Sequence, residues 1–160
     1  MNKNVETFIG ADSTYEDAKM VIFGAPFDAT TSFRPGTRFG SKAIRSDSFG
    51  IETYSPYQDL DLLDTAVFDA GDLELAFGSP EKALAQIEEM TTEILRHGKM
   101  PIMLGGEHLV SLAMARALVK QYPDLAIVHF DAHADLRDDY LGEKLSHACV
   151  MRRIWELVGD

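Results

Sequence analysis

Leu125-Ala126-Ile127-Val128-His129-Phe130-Asp131-Ala132-His133-Ala134-Asp135 joins an apolar run of strand length to carboxylate, imidazole and carboxylate at every second position. Side chains two apart on an extended chain point the same way. A strand closing at Phe130 therefore aims Asp131 and His133 at one spot, and Asp135 can fold back from the loop beyond. Oxygen and nitrogen donors converging at the mouth of a buried strand indicate a divalent metal site. The competing reading is a polar loop whose acids face water. A third donor in register and a second donor cluster upstream favour the metal.

That second cluster is Gly105-Gly106-Glu107-His108, which follows a predicted strand, Met100-Pro101-Ile102-Met103-Leu104, and precedes a predicted helix from about Leu109 to Gln121. Further upstream, Ser79-Pro80-Glu81 starts a helix with a capping hydroxyl, a proline at the first helical position and an acid facing the macrodipole. Ala83, Leu84, Ile87, Met90, Ile94 and Leu95 form its apolar stripe, and Gly98 ends it after His97. Two more strands fit Met20 to Gly24 and Ala66 to Ala70, with a loop from Phe27 to Gly40 and a helix capped by Ser41 running to about Phe49. Before them, residues 1 to 18 read as a polar arm with a short helix around Tyr15 to Lys19. After the donors, a polar loop from Leu136 to Ser146 leads to a last helix ending near Val158. Strands alternating with helices predict a parallel sheet covered by helices on both faces, an α/β architecture. Right-handed crossovers line the strand C-terminal ends along one edge, so both donor clusters fall on the same edge.

The chain has 160 residues, enough for one domain with a sizeable core. Its net charge of −11 comes without a basic stripe, which argues against nucleic acid as a partner. No apolar run reaches membrane-spanning length, and the start, Met1-Asn2-Lys3-Asn4-Val5-Glu6, lacks the core of a secretion signal. Cys149 is the single cysteine, so no internal disulfide forms and a reducing, cytoplasmic compartment is the expectation.

His108, Asp131, His133 and Asp135 suffice for one metal ion, and one carboxylate bridging two ions fits equally well. Oxygen-rich ligands with one imidazole per ion favour manganese, with iron, cobalt and zinc as alternatives. Two ions about 3.5–4 Å apart hold a water acidified to near neutrality, the nucleophile of a metal-assisted hydrolysis. Glu107 fits either a role beside the ligands or the start of the following helix. His129, one residue out of phase with Asp131, is expected on the opposite side of the sheet as a core histidine. His97 suits a helix C-terminus, and Cys149 reads as a small buried hydrophobe. His147 fits an exposed capping position and an acid/base group reaching over the metals equally well.

Gly105-Gly106-Glu107-His108 and Phe130-Asp131-Ala132-His133-Ala134-Asp135 resemble the first two metal motifs of the ureohydrolases, the family of arginase and agmatinase. Gly24-Ala25-Pro26-Phe27-Asp28, with Thr31 through Gly40 and Ala43-Ile44-Arg45, is similar to the agmatinase branch in particular. The resemblance implies a three-layer arginase-like α/β fold and a binuclear manganese site. It implies that His108 binds one ion and His133 the other, that Asp131 bridges them, and that Asp135 sits with His108 and orients a bridging hydroxide. It assigns His147 to proton transfer and leaves Arg34 and Arg38 as loop or subunit-contact residues. It also implies a small cationic guanidino substrate and a homo-oligomer, a trimer or hexamer.

The family's third metal motif, a Ser-x-Asp-x-Asp segment, is absent, and Asp160 falls at roughly half the family's length. The expectation is that residues 1–160 form the N-terminal part of one ureohydrolase domain; taken alone, they should bind metal weakly and show no turnover. The loop Arg137-Asp138-Asp139-Tyr140-Leu141-Gly142-Glu143-Lys144 is rich in acid and leans towards an amine-bearing substrate, hence agmatine hydrolysed to putrescine and urea. Arginase, guanidinobutyrase, formiminoglutamase and amine deacetylase chemistry, and a non-catalytic paralogue, are the alternatives.

Overall fold

Three parallel strands carry the centre of the molecule: β1 (Met20–Ala25) lies between β4 (Val67–Asp72) and β5 (Met100–Gly105). A computed structural model describes residues 6–159; Met1 to Val5, most of the sequence start read above, and Asp160 lie outside them. Alternation along β1 sends Val21, Phe23 and Ala25 to the larger core and Ile22 to the smaller one. Leu84, Ile87 and Ile94 of α2 (Pro80–Arg96), Leu112 and Ala113 of α3 (Val110–Gln121), and Ile154 of α4 (Val150–Val158) close the larger core. On the opposite face lies α1 (Gly40–Ser48). There Gly24 leaves room for Asp72, since a Cβ would fall 1.8 Å from Asp72 Oδ1. The parallel sheet with helices on both faces is the architecture expected from the alternation of elements.

The α2 boundaries follow their sequence signals. Ser79 Oγ accepts the Lys82 N–H at 3.3 Å, Pro80 opens the helix, and Gly98 follows its end at φ 68°. Ser41 behaves differently from the cap it was expected to be. It lies inside α1, fully buried, and its hydroxyl donates to Asp72 Oδ2 at 3.0 Å. A 3-10 turn at Thr37–Phe39 leads into the helix instead. A two-stranded hairpin, β2 (Tyr54–Ser55) with β3 (Leu60–Asp61), was not anticipated, and Tyr15 to Lys19 forms a turn rather than a helix.

The buried face of α1 is polar. Arg45, 2% exposed, donates from Nε and Nη2 to Asp69 at 2.8 and 2.9 Å and from Nη1 to Asp72 at 2.5 Å. Asp69 also accepts the Gly71 and Phe8 N–H groups. Burial alone would lower the Arg45 pKa; bonding to Asp69 and Asp72 overrides it and the pKa rises.

Leu125 to Phe130 departs most from expectation. The segment pairs with no strand, and Val128 and Phe130 are 77% and 93% exposed. An apolar run is a strand only when its N–H and C=O groups find a ladder. The sheet ends at β5, and that ladder is missing among the described residues. No helix among them is long and apolar enough to cross a membrane.

Candidate metal centre

The turn after β5 places the first donors. Gly106 N–H donates to Ala25 C=O at 2.9 Å and Glu107 N–H to Phe27 C=O at 2.8 Å. A Cβ on Gly106 would lie 2.0 Å from Phe27 O, so only glycine permits this approach. The turn leaves His108 at the strand tip and Glu107 pointing inward at 1% exposure. Glu107 does not serve the following helix. Its carboxylate accepts the Thr30 N–H at 2.6 Å and the Thr30 hydroxyl at 2.6 and 2.8 Å.

The second cluster meets the first. His108 Nδ1 lies 2.6 Å from Asp135 Oδ2 and 3.3 Å from Asp131 Oδ2. Asp135 adopts φ 49°, a left-handed conformation that aspartate tolerates. Its carbonyl accepts the N–H groups of Met151 and Arg152 at 3.0 and 3.3 Å, so the start of α4 secures it. Asp131 accepts the His133 N–H at 2.8 Å; that bond, against the opposing effect of burial, holds its carboxyl below the ordinary range, with His108 and His129 adding to it. His147 closes the group from above: its ring stacks on His108 at 4.0 Å and 21°, and its backbone N–H donates to Thr30 Oγ at 2.9 Å.

Two sets of donors are close enough to hold an ion, His108 with Asp135 and His147, and His129 with Asp131 and Asp135, each within 4.8 Å. Asp135 is common to both. His133 stands apart from these sets, 81% exposed at its side chain, with Nδ1 3.4 Å from Asp131 Oδ1. His129 is corrected by the structure. Without strand pairing the alternation no longer directs it across the sheet, and its Nε2 lies 3.5 Å from Asp131 Oδ2. His97 and Cys149 match their readings: His97 caps α2 and meets the Tyr15 hydroxyl at 2.7 Å, and Cys149 is fully buried.

A cavity of about 590 Å³ opens beside the donors, lined among others by Ser32, His133, Asp135, Arg137, Tyr140 and His147. The acids of the adjoining loop do not line it. Asp138 turns to Arg153 at 2.8 Å, and this bond, with Lys144, holds its carboxyl below the ordinary range.

Residues 18–159 match the model of the arginase family. The chain belongs to this family. It is 52% identical to the agmatinase of Bacillus subtilis (strain 168) and 53% identical to that of Halalkalibacterium halodurans, in each case over 96% of this chain and 53% of the relative. Its fold superposes on the crystal structure of the agmatine ureohydrolase of Thermoplasma volcanium with a TM-score of 0.90 at 38% identity, covering 98% of this chain and 52% of that one. The arginase-like α/β fold is thus shared, and the chain spans about half the length of the curated relatives it matches.

The donor chemistry fits a divalent ion. Imidazole and carboxylate groups mix as first-row metals prefer, and His108 Nδ1 has carboxylate oxygens at 2.6 and 3.3 Å. The pairing of Glu107 with Thr30 was missed in the sequence, because no local pattern links residues 77 positions apart.

Proposed function

We propose that this chain contributes the N-terminal part of a manganese-dependent ureohydrolase that converts agmatine to putrescine and urea. The observation that carries the reading is the meeting of His108, Asp131 and Asp135 from two separate turns, with His147 stacked above them, beside an open cavity. The choice of agmatine rests on the agmatinases at 52% and 53% identity, since the acids of the loop after the second motif do not line the cavity.

His108, Asp131, His133 and Asp135 would hold two manganese ions. When bound, the metal lowers the pKa of water so that a nucleophile is available at neutral pH. The chain's own groups then do three things. Asp135, common to both donor sets, aligns the attacking water. The cavity beside it accepts the guanidinium group, whose carbon gains the water oxygen and releases the alkyl amine. His147 passes a proton to that leaving nitrogen, so guanidinium and water become urea and an ammonium. A cytoplasmic homo-oligomer acting on a small cationic substrate, with neither nucleic acid nor membrane as partner, completes the reading; the net charge of −11 supports the attraction of a cation.

A urea-release assay with added manganese on the protein that carries this chain tests it, with agmatine, arginine and guanidinobutyrate compared. Agmatine should be turned over fastest. Preference for arginine, or release of amine without urea, defeats the assignment.

A further inference from the structure

We propose that Glu107, acting with Thr30, is the positioning residue for His147, fixing which ring nitrogen is left free to move a proton. The inference deepens the proposed function and rests on His147 serving as its acid/base group. Three contacts carry it. The backbone N–H of His147 donates to Thr30 Oγ at 2.9 Å. That hydroxyl has a single hydrogen, and with Glu107 oxygens at 2.6 and 2.8 Å it is committed to the carboxylate. Glu107 Oε2 in turn lies 3.4 Å from His147 Nδ1, a ring atom that is buried and otherwise unpartnered.

Hydrogen-bond logic then chooses the tautomer. An ionised carboxylate is an acceptor only, so a bare Nδ1 lone pair would face oxygen lone pairs across 3.4 Å. The arrangement is favourable with the proton on Nδ1, directed at Glu107, and with Nε2 bare. The contact is longer than a formed hydrogen bond, as catalytic contacts are before substrate tightens them. Glu107 is 1% exposed, so water does not compete for it. Because Glu107 adjoins His108, whose ring stacks on His147, two successive residues hold the same imidazole by its edge and by its face.

Long-range nitrogen–proton correlation spectra of the imidazole rings, recorded on the full chain without metal at neutral pH, test this. A His147→Gln variant assigns the signals. The expected result is the Nδ1–H tautomer in the wild type. Thr30→Ser and Glu107→Gln should keep it, since each retains the needed hydroxyl or oxygen acceptor. Thr30→Val and Glu107→Leu should release it to a mixture led by Nε2–H, the form favoured by a free imidazole. A role confined to folding would lower Tm and leave the tautomer unchanged. Nε2–H in the wild type overturns the proposal, even if the variants fail to fold; so does a folded Glu107→Leu variant that keeps the wild-type signal. In the urea-releasing protein, Glu107→Leu should lower kcat about tenfold or more with KM held, and Glu107→Gln should recover part of the loss. The spectra need no substrate, so the two readings fail separately. The expected tautomer without urea release sinks the function and leaves the contact standing, and urea release with the opposite tautomer does the reverse.

Discussion

Two clusters of charge flank the sheet, and they are built on opposite principles. Around Arg45 every charge is answered: Asp69 and Asp72 accept from three guanidinium nitrogens, Ser41 and two backbone N–H groups take further oxygen positions, and Arg45 and Asp69 are buried. Around Asp135 the count does not close. Two carboxylates crowd His108 Nδ1, Asp131 has no cation but imidazole beside it among the described residues, and Asp135 holds a left-handed backbone conformation. A self-satisfied cluster fixes structure, whereas one left short of a partner is arranged for something else. Under the proposed function, the same residue types serve the fold on one side and a ligand on the other.

Removing one partner of the satisfied cluster should have the largest effect. Arg45→Ala leaves the buried Asp69 carboxylate without its cation and should cost about 3–5 kcal/mol in urea denaturation, as uncompensated buried charge does. Asp131→Asn, in the other cluster, should leave the denaturation midpoint unchanged while weakening metal binding. Equal losses of stability in the two variants would erase the distinction.

Next in size is the turn that brings the clusters' elements together. Gly106→Ala drives a methyl into Phe27 O and should cost about 1–3 kcal/mol, as overpacking does. A neutral result would mean that the β5 turn is looser than its contacts imply. Third, manganese at ten times its Kd should stabilise the chain by about 1.4 kcal/mol, and Asp135→Asn should remove that gain in a thermal melt. Arg45 variants that remain folded should retain it.

The smallest expected effect concerns the loop between the clusters. The Arg38 hydrogen bond, working against burial and helped by the Gly36 N–H, lowers the Asp28 pKa from 3.8. A depressed carboxyl contributes stability in full above its ordinary value and loses it as pH falls through the folded one. The Gly36 amide signal should therefore hold steady down to about pH 4 and move only below it. Asp28→Asn should abolish that acid transition.

What the sequence revealed, and what it hid, follows the same division. His108, Asp131 and Asp135 were legible from their two motifs, and they meet although only the first motif follows a strand of the sheet. α2 was legible from its cap and its stop. The Arg45 cluster was not, since a polar helix face reads as solvated until its partners on β4 are known. Ser41 looked like a cap because serine before a helical stretch usually is one, and here Asp72 engages it instead. Leu125 to Phe130 carries the pattern of a buried strand, but pairing requires neighbours that periodicity does not supply. His129 was misplaced for the same reason.

Paramagnetic broadening of the histidine ring signals on titration with manganese tests most directly whether the under-satisfied cluster is the ligand site. The rings of His108 and His133 should broaden first, with those of His147 and His129 beside them following, while His97, capping α2 before β5, stays sharp. Broadening of His97 in step with the others, or none at His108 with manganese in excess, would contradict a metal centre at these turns.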